Sequence, residues 1–302
     1  MENFVLVLIY ILIGTQLRRL PQFPANTGMV LNQYVLMVAL PALVLQKMPL
    51  LQLSSQLLVA AILPWILLAV TAVLVLVAAK LWHWERSTIG ALLVVLPLGN
   101  TAFLGYPMIE ALMGADALPI AIIYDQAGSF LALVSYAAVL AAWYGNASEK
   151  PTVLGMAKRI FFFPAFMAML VGLALKGWEY PGLMKNFLDS LAVTLVPVVM
   201  VAVGFQFRLQ LDAKEKAPLA FALVVKLMLL PAIAFVLLWL IAAESRIQQV
   251  AVLQAAMPPM VSAGALAIGA GLAPRLVSTL VGVGLILSFL SLPLWAWWLG
   301  VW

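Results

Sequence analysis

Charged residues and cysteine are both scarce in this sequence. Only 9% of its 302 residues are charged, whereas 66% are hydrophobic and the mean hydropathy is +1.14. Soluble domains carry about 25% charged residues, so a soluble globule is excluded. A disordered chain is excluded as well, because disorder needs the opposite composition. The absence of cysteine excludes disulfides, thiolate nucleophiles and cysteine-ligated metal sites.

Long apolar stretches are abundant instead. A helix that spans a bilayer takes about 20 apolar residues, and short polar separators divide the chain into stretches of about this length. We therefore predict an all-α integral membrane protein with ten transmembrane helices. The stretches lie at about 3–19, 27–46, 56–80, 87–113, 117–143, 157–177, 186–206, 217–242, 247–270 and 276–298.

The distribution of Lys and Arg predicts the orientation. Eleven of these residues lie in separators after odd-numbered spans and four in separators after even-numbered spans. Cytoplasmic loops carry the excess of positive charge, so both termini are expected outside the cytoplasm. Glu2 precedes the first apolar stretch and Arg18 and Arg19 follow it, which is not the charge order of a secretory signal peptide. We expect a multi-pass protein of a bacterial inner (plasma) membrane with both termini in the periplasm.

The first five spans are similar to the last five, in the same order. The mid-span prolines of spans 2 and 7, Pro41 and Pro197, are 156 residues apart. Matches between spans 3 and 8, 4 and 9, and 5 and 10 are separated by 167, 161 and 159 residues. Because five is an odd number, the second copy must enter the membrane the other way up. We predict two inverted five-helix repeats, residues 1–144 and 158–302, joined by a cytoplasmic linker at 145–157.

Spans 4 and 9 are predicted to be broken helices. Span 4 reads PLGNTAFLGYP from Pro97, and span 9 contains adjacent prolines, each of which removes a helical hydrogen bond. Breaks at corresponding places in two repeats indicate a transporter binding site, since half-helix N-termini attract anions. The alternative is a pair of kinks that neighbouring helices satisfy. The candidate substrate-binding residues are Pro97, Gly99, Asn100, Thr101, Gln254, Pro258, Pro259 and Ser262.

Ionisable residues inside spans are functional candidates by default. Asp125 lies about eight residues into span 5, ~12 Å from its outer end. Ser129 follows on its face, whereas Gln126 is expected to point elsewhere. Asp125 could couple transport to a proton or cation, or could be a buried structural carboxylate. Lys226 in span 8 could neutralise a substrate carboxylate, pair with Asp125 or extend to the interface. Three acids near span ends are expected to be interfacial: Glu110, Asp189 and Glu244.

Four stretches carry a resemblance to a known family. They are LNQYVLMVALPALV in span 2, PLGNTAFLGYPM in span 4, ALPIAIIYDQAGSF entering span 5 and QAAMPPMVSAGALA in span 9. The chain resembles bacterial members of the auxin efflux carrier family, relatives of the plant auxin carriers and of malonate and malate permeases. The resemblance implies a fold like that of the bile-acid:sodium symporters, in which the two broken helices cross. It also implies an elevator-like movement of one helix panel against another, and places Asn100, Thr101 and Pro258 at the crossing.

The predicted function is therefore a secondary active or facilitative carrier of a small organic anion, such as a mono- or dicarboxylate or an auxin-like acid. The alternative is a sodium-coupled symporter of the bile-acid type, with its cation among Asn100, Thr101, Ser129 and Gln254. An enzyme is disfavoured, because a single histidine and no cysteine exclude an HExxH metalloprotease and thiol chemistry. We expect no metal and no cofactor, apart from H+ or Na+ as a coupling ion. No nucleic acid partner is expected, and a homodimer is possible in principle.

Overall fold

The computed structural model describes residues 2–51, 54, 56–145, 151–206 and 215–301. Residues 146–150 of the predicted linker lie outside the described residues. Within those ranges the secondary structure is helical, and the one β-type pairing is an antiparallel bridge between Gly99 and Pro259. The helices, in chain order, are α1 (Glu2–Leu17), α2 (Thr27–Leu50), α3 (Leu57–Trp82), α4 (Arg86–Val95), α5 (Gly105–Met113), α6 (Ala115–Tyr144), α7 (Val153–Phe161), α8 (Pro164–Ala174), α9 (Gly182–Gln206), α10 (Lys216–Leu240), α11 (Ser245–Ala255), α12 (Val261–Gly269) and α13 (Pro274–Trp298).

Six helices in the described part of the chain are long and apolar enough to cross a membrane. They are α2, α3, α6, α9, α10 and α13, with lengths from 24 to 30 residues. The helices α7 and α8 meet at a bend of 62° and together make a seventh candidate span. Large apolar side chains such as Leu58, Val73 and Trp239 are exposed along these helices, as a lipid-facing surface requires. The chain is thus an integral membrane protein of several spans, while ten spans and an inverted repeat stay predictions.

The helices form two compact units, and each unit contains segments from both predicted sequence halves. The two units group residues that contact one another in space, whereas the predicted halves 1–144 and 158–302 rest on similarity within the sequence. Those halves therefore stay a prediction. Unit 1 comprises Met1–Ser54, Ala102–Ile122 and Arg159–Arg208, and unit 2 comprises Ser55–Thr101, Ile123–Lys158 and Leu209–Trp302.

Close packing of α1 on α9 holds unit 1 together, and it depends on two glycines. A Cβ at Gly14 would lie 2.1 Å from the carbonyl oxygen of Val201, and a Cβ at Gly204 would lie 2.1 Å from that of Ile11. Each glycine therefore faces the backbone of the other helix. Small residues at such a contact let two helices approach closely, which is how membrane helices gain packing energy without a hydrophobic driving force.

Two prolines inside the long helices, Pro41 and Pro231, are accommodated by π-helical turns. A five-residue π stretch, Val35–Ala39, ends two residues before Pro41. Another, Val225–Leu229, ends two residues before Pro231. A proline clashes with the carbonyl four residues earlier and cannot donate to it, and a wider turn relieves that clash while the helix continues. These prolines consequently bend or widen the helices without breaking them.

Candidate substrate-binding site

The helices predicted to be broken are interrupted by two unwound stretches, residues 96–104 between α4 and α5 and residues 256–260 between α11 and α12. The residues of the two stretches that pair with each other, 98–100 and 258–260, lie in unit 2. The amide of Asn100 donates to the carbonyl oxygen of Pro258 at 2.8 Å, and the amide of Met260 donates to that of Leu98 at 2.9 Å. Each stretch therefore provides hydrogen-bond partners for backbone groups that the other helix break leaves open, as an apolar environment demands.

The prolines and the glycine of these stretches suit the pairing. Gly99 and Pro259 lie opposite each other in the bridge, and the two hydrogen bonds run on either side of them. Neither residue has to donate a hydrogen bond at such a position, so the missing N–H of Pro259 is harmless. Because a proline follows it, Pro258 is also restricted to extended backbone, which a β-type bridge requires.

A hydrogen-bonded network surrounds the carboxylate of Asp125. Thr101 donates its hydroxyl to Oδ1 at 2.5 Å, and Gln126 donates its amide to Oδ2 at 2.7 Å. Gln254 in α11 donates to the carbonyl oxygen of Thr101 at 3.2 Å. All four side chains are buried. The network thus ties α6 to the first unwound stretch and to the end of α11 through Thr101.

The expectation that Gln126 points away from Asp125 is wrong. Residues Tyr124–Phe130 form a π-helical stretch, which has more residues per turn than an α-helix and brings successive side chains closer together. The two neighbours can therefore share one hydrogen bond. The apolar and polar pattern of span 5 gives no signal for this turn, because both kinds of helix would bury the same residues.

Lys226 is buried against the first unwound stretch. Only 2% of its surface is exposed, and its Nζ lies 3.3 Å from the position that a Cβ on Gly99 would take. Among the residues that the structure describes, its ammonium group forms no ion pair and no hydrogen bond. The side chain of Asn100, which is 3% exposed, likewise has no hydrogen-bond partner in the described ranges. The site therefore presents one positive charge and one amide that a ligand can use.

Asp125 and Lys226 both lie in π-helical stretches, and a tryptophan indole donates a hydrogen bond to the backbone of each stretch. Trp65 in α3 donates its Nε1–H to the carbonyl oxygen of Ala127, in the stretch that carries Asp125, at 3.0 Å. Trp295 in α13 donates to the carbonyl oxygen of Leu227, in the stretch that carries Lys226, at 2.9 Å. Widened turns of this kind are frequent at functional sites. The positions of tryptophans in the sequence predict only belts at the membrane interface. They do not predict that Trp65 and Trp295 donate hydrogen bonds to the backbone of π-helical stretches.

The structure brings most of the predicted site residues into one region of unit 2. Pro97, Gly99, Asn100, Thr101, Gln254, Pro258 and Pro259 form the paired stretches and their edges, and all seven are buried. Ser129 is buried one turn beyond Asp125, and Ser262 is half-buried as the second residue of α12. The described residues contain no group of three or more His, Cys, Asp or Glu side chains placed to hold a metal ion.

Several membrane-spanning helices, two paired helix breaks and buried charges beside them define a multi-pass membrane protein with a polar site inside its helix bundle. The sequence profile of the membrane transport protein family, which includes the auxin efflux carriers, matches residues 1–296. The chain belongs to this family, so the resemblance found in the sequence is confirmed, and the protein is a membrane transporter.

Curated relatives support the family assignment along the whole chain. A protein named "Uncharacterized transporter" from Methanothermobacter thermautotrophicus is 29% identical over 300 residues, which cover 98% of this chain and 97% of the relative. An uncharacterized transporter of Methanocaldococcus jannaschii is 25% identical over 312 residues, with 98% of each protein covered. A protein of Rhizobium meliloti named "Putative malonate transporter" is 29% identical over 168 residues, which cover 53% of this chain and 51% of the relative.

Proposed function

We propose that this transporter carries a small organic anion, a mono- or dicarboxylate, and that Lys226 binds the carboxylate of the substrate. The observation that carries the proposal is the burial of the Lys226 ammonium beside Gly99 with no counter-ion among the described residues. A charge inside a bilayer is costly unless it is paired. A bound carboxylate supplies the missing partner and gains a charge-assisted hydrogen bond.

Two further features favour an anion at this place. The Asn100 side chain carries amide donors next to Gly99, and α12 begins at Val261, directly after Met260, whose own amide donates to Leu98. The first turn of a helix has amide groups without helical partners and a partial positive charge. Lys226, an amide and a helix N-terminus together provide donors and positive potential for one small anion.

The name of the rhizobial relative points to the same class of substrate. Malonate is a short dicarboxylate, and that protein matches about half of this chain. Malonate is therefore the first acid to test, followed by malate and by an auxin-like acid such as indole-3-acetate.

We further propose ten spans arranged as two inverted five-helix repeats, with both termini outside the cytoplasm of a bacterial inner membrane. In support, Gly99 and Pro259 occupy the same place in their broken helices and are 160 residues apart, near the separations of the sequence matches. The cysteine-free chain allows a direct test with an impermeant thiol reagent. Ala115→Cys should react in intact spheroplasts and Ser148→Cys only after the membrane is opened, and the reverse pattern would overturn the orientation.

The mechanism that we propose is elevator-like alternating access, in which one of the two units moves relative to the other during transport. The grouping of the helices into two compact units supports this choice.

Asp125 is the proposed coupling carboxylate, and H+ is the coupling ion to test first, with Na+ as the alternative of a bile-acid type symporter. Imposed pH and sodium gradients separate the two.

Lys226→Met in proteoliposomes tests the substrate class. Uptake of labelled malonate, malate and indole-3-acetate is measured for the wild type, for Lys226→Met and for Lys216→Met, which removes an exposed lysine at the start of the same helix. We expect affinity for the transported acid to fall at least tenfold in Lys226→Met only, while Lys226→Arg retains part of it. A folded Lys226→Met protein with wild-type affinity, or no uptake of any of the three acids by the wild type, would reject the proposal.

A further inference from the structure

A cavity of about 520 Å³ lies within unit 1 and is separate in its residues from the site proposed for the anion. The side chains that line it come from α1, α2, α5 and α9. Most of its wall is apolar, as at Leu43 and Val193, and five polar or charged residues interrupt that wall. This volume lies within the range of ordinary small-molecule sites, which combine apolar walls with a few placed polar groups.

The polar residues of the cavity carry more negative than positive charge. Glu110 and Asp189 contribute two carboxylates, and Lys47 contributes one ammonium group close enough to Glu110 to interact with it electrostatically. Gln46 donates a hydrogen bond to Asp189 from its side-chain amide. This neutral partner fixes the position of the Asp189 carboxylate without cancelling its charge. The ring of Tyr10 lines the same cavity.

Two carboxylates and an aromatic ring on apolar walls suit one chemical group in particular. An organic ammonium group forms charge-assisted hydrogen bonds with carboxylates and is attracted to the face of an aromatic ring, while its hydrocarbon part contacts the apolar wall. We propose that the cavity of unit 1 binds an organic primary ammonium group attached to an apolar body. The sequence predicted only an interfacial position for Glu110 and Asp189, without a ligand. In the cavity, both carboxylates would bind the same ammonium group.

The ammonium group can come from a free amine or from the headgroup of phosphatidylethanolamine. Both share the chemistry that the cavity recognises, and a competition experiment distinguishes them. The full-length protein in a neutral detergent is titrated with phenethylamine, with and without added phosphatidylethanolamine. Competition by the lipid identifies a headgroup site, and its absence identifies a site for free amines.

A matched pair of probes tests the charge preference. Phenethylamine and 3-phenylpropanoate share a phenyl ring and a two-carbon chain but end in an ammonium and a carboxylate group. Isothermal titration calorimetry should detect binding of the amine at an affinity at least tenfold higher than that of the acid. Equal affinities for the two probes, or no binding of the amine, would overturn the proposal.

Substitutions in the cavity should have effects of opposite sign. Glu110→Gln or Asp189→Asn should weaken amine binding at least tenfold, whereas Lys47→Gln should strengthen it because Lys47 is the one positive charge among the described residues that line the cavity. Asp189→Asn still offers an oxygen to Gln46, so the fold should be kept, and melting temperatures check this. Glu179→Gln, at an exposed position of unit 1, is the control. Unchanged amine binding in all three cavity variants would contradict the proposal and leave the anion site of unit 2 unaffected.

Discussion

The ammonium nitrogen of Lys226 lies beside Gly99, 3.3 Å from the point where any side chain at position 99 would begin. The same Cβ would approach the carbonyl oxygen of Gln254 at 3.4 Å. Glycine is therefore the residue that allows Lys226 to reach the unwound stretch between α4 and α5. The sequence predicted a binding site at the break between α4 and α5, but it left the position of Lys226 open. The contact with Gly99 places Lys226 at that break.

Gly99→Ala should displace the Lys226 side chain and weaken binding of the transported acid about tenfold, because the ammonium group loses its place beside the bridge. The protein should still fold, since the flexible end of a lysine can move. Gly269→Ala, in open space at the end of α12, is the matched control. Both affinities are measured by uptake in proteoliposomes. Wild-type affinity in a folded Gly99→Ala protein would show that the position of Lys226 is irrelevant to binding.

Trp65→Phe and Trp295→Phe should each leave one buried carbonyl without its indole donor, at a cost of about 1–2 kcal/mol in stability. A lower melting temperature is expected for both, and none for Trp239→Phe, whose indole is exposed. The functional effects should differ. Trp295→Phe should weaken binding of the acid, because its carbonyl partner follows Lys226, whereas Trp65→Phe should alter the pH dependence of transport through Asp125. Identical functional effects in the two variants would argue for a purely structural role.

The helix breaks could be predicted from sequence because proline and glycine act locally. Pro97, Pro258 and Pro259 remove donors wherever they occur in a helix, so the unwound stretches lie where they were expected. The partner of each freed carbonyl could not be predicted in the same way. The bond from Asn100 to Pro258 joins residues 158 positions apart, and only the folded arrangement of the helices determines that contact.

The π-helical stretches and the cavity of unit 1 depend equally on packing. The turn around Asp125 is widened where Trp65 of another helix donates to its backbone, and no residue inside the stretch signals that bond. Glu110 and Asp189 are 79 positions apart in the sequence, and each taken alone has the features of an interfacial acid. Both line one cavity because their helices pack together, and the pattern of apolar residues in the sequence does not predict which helices pack together.

Gly14→Ala and Gly204→Ala should each disrupt unit 1. A methyl group at either position would lie 2.1 Å from a backbone oxygen of the facing helix, and backbone cannot move aside as a side chain can. We expect loss of monodisperse protein in fluorescence-detected size-exclusion chromatography for both variants. Gly182→Ala, at the start of α9 with nothing within 4 Å, should behave as the wild type. Normal chromatograms for both core variants would mean that α1 and α9 are farther apart than described.

The last prediction concerns Asp125. Asp125→Asn keeps an oxygen for the hydroxyl of Thr101, and its new amide would face the amide of Gln126. Gln126 can rotate by half a turn, because its own Oε1 has no hydrogen-bond partner among the described residues. The variant should therefore fold with a melting temperature close to that of the wild type. Asp125→Ala should be less stable, because it leaves Gln126 without its acceptor and Thr101 with only the long contact to the carbonyl oxygen of Gly99 at 3.4 Å.

Since Asn cannot take up and release a proton, Asp125→Asn should bind and exchange the acid but fail to accumulate it against a gradient. Proteoliposomes loaded with unlabelled acid measure exchange, and an imposed pH gradient measures accumulation. Loss of both in a folded protein would assign Asp125 to substrate binding. Retention of both, with the wild-type pH dependence, would leave the carboxylate a structural role only, because a neutral amide that cannot exchange a proton would then support the whole transport cycle.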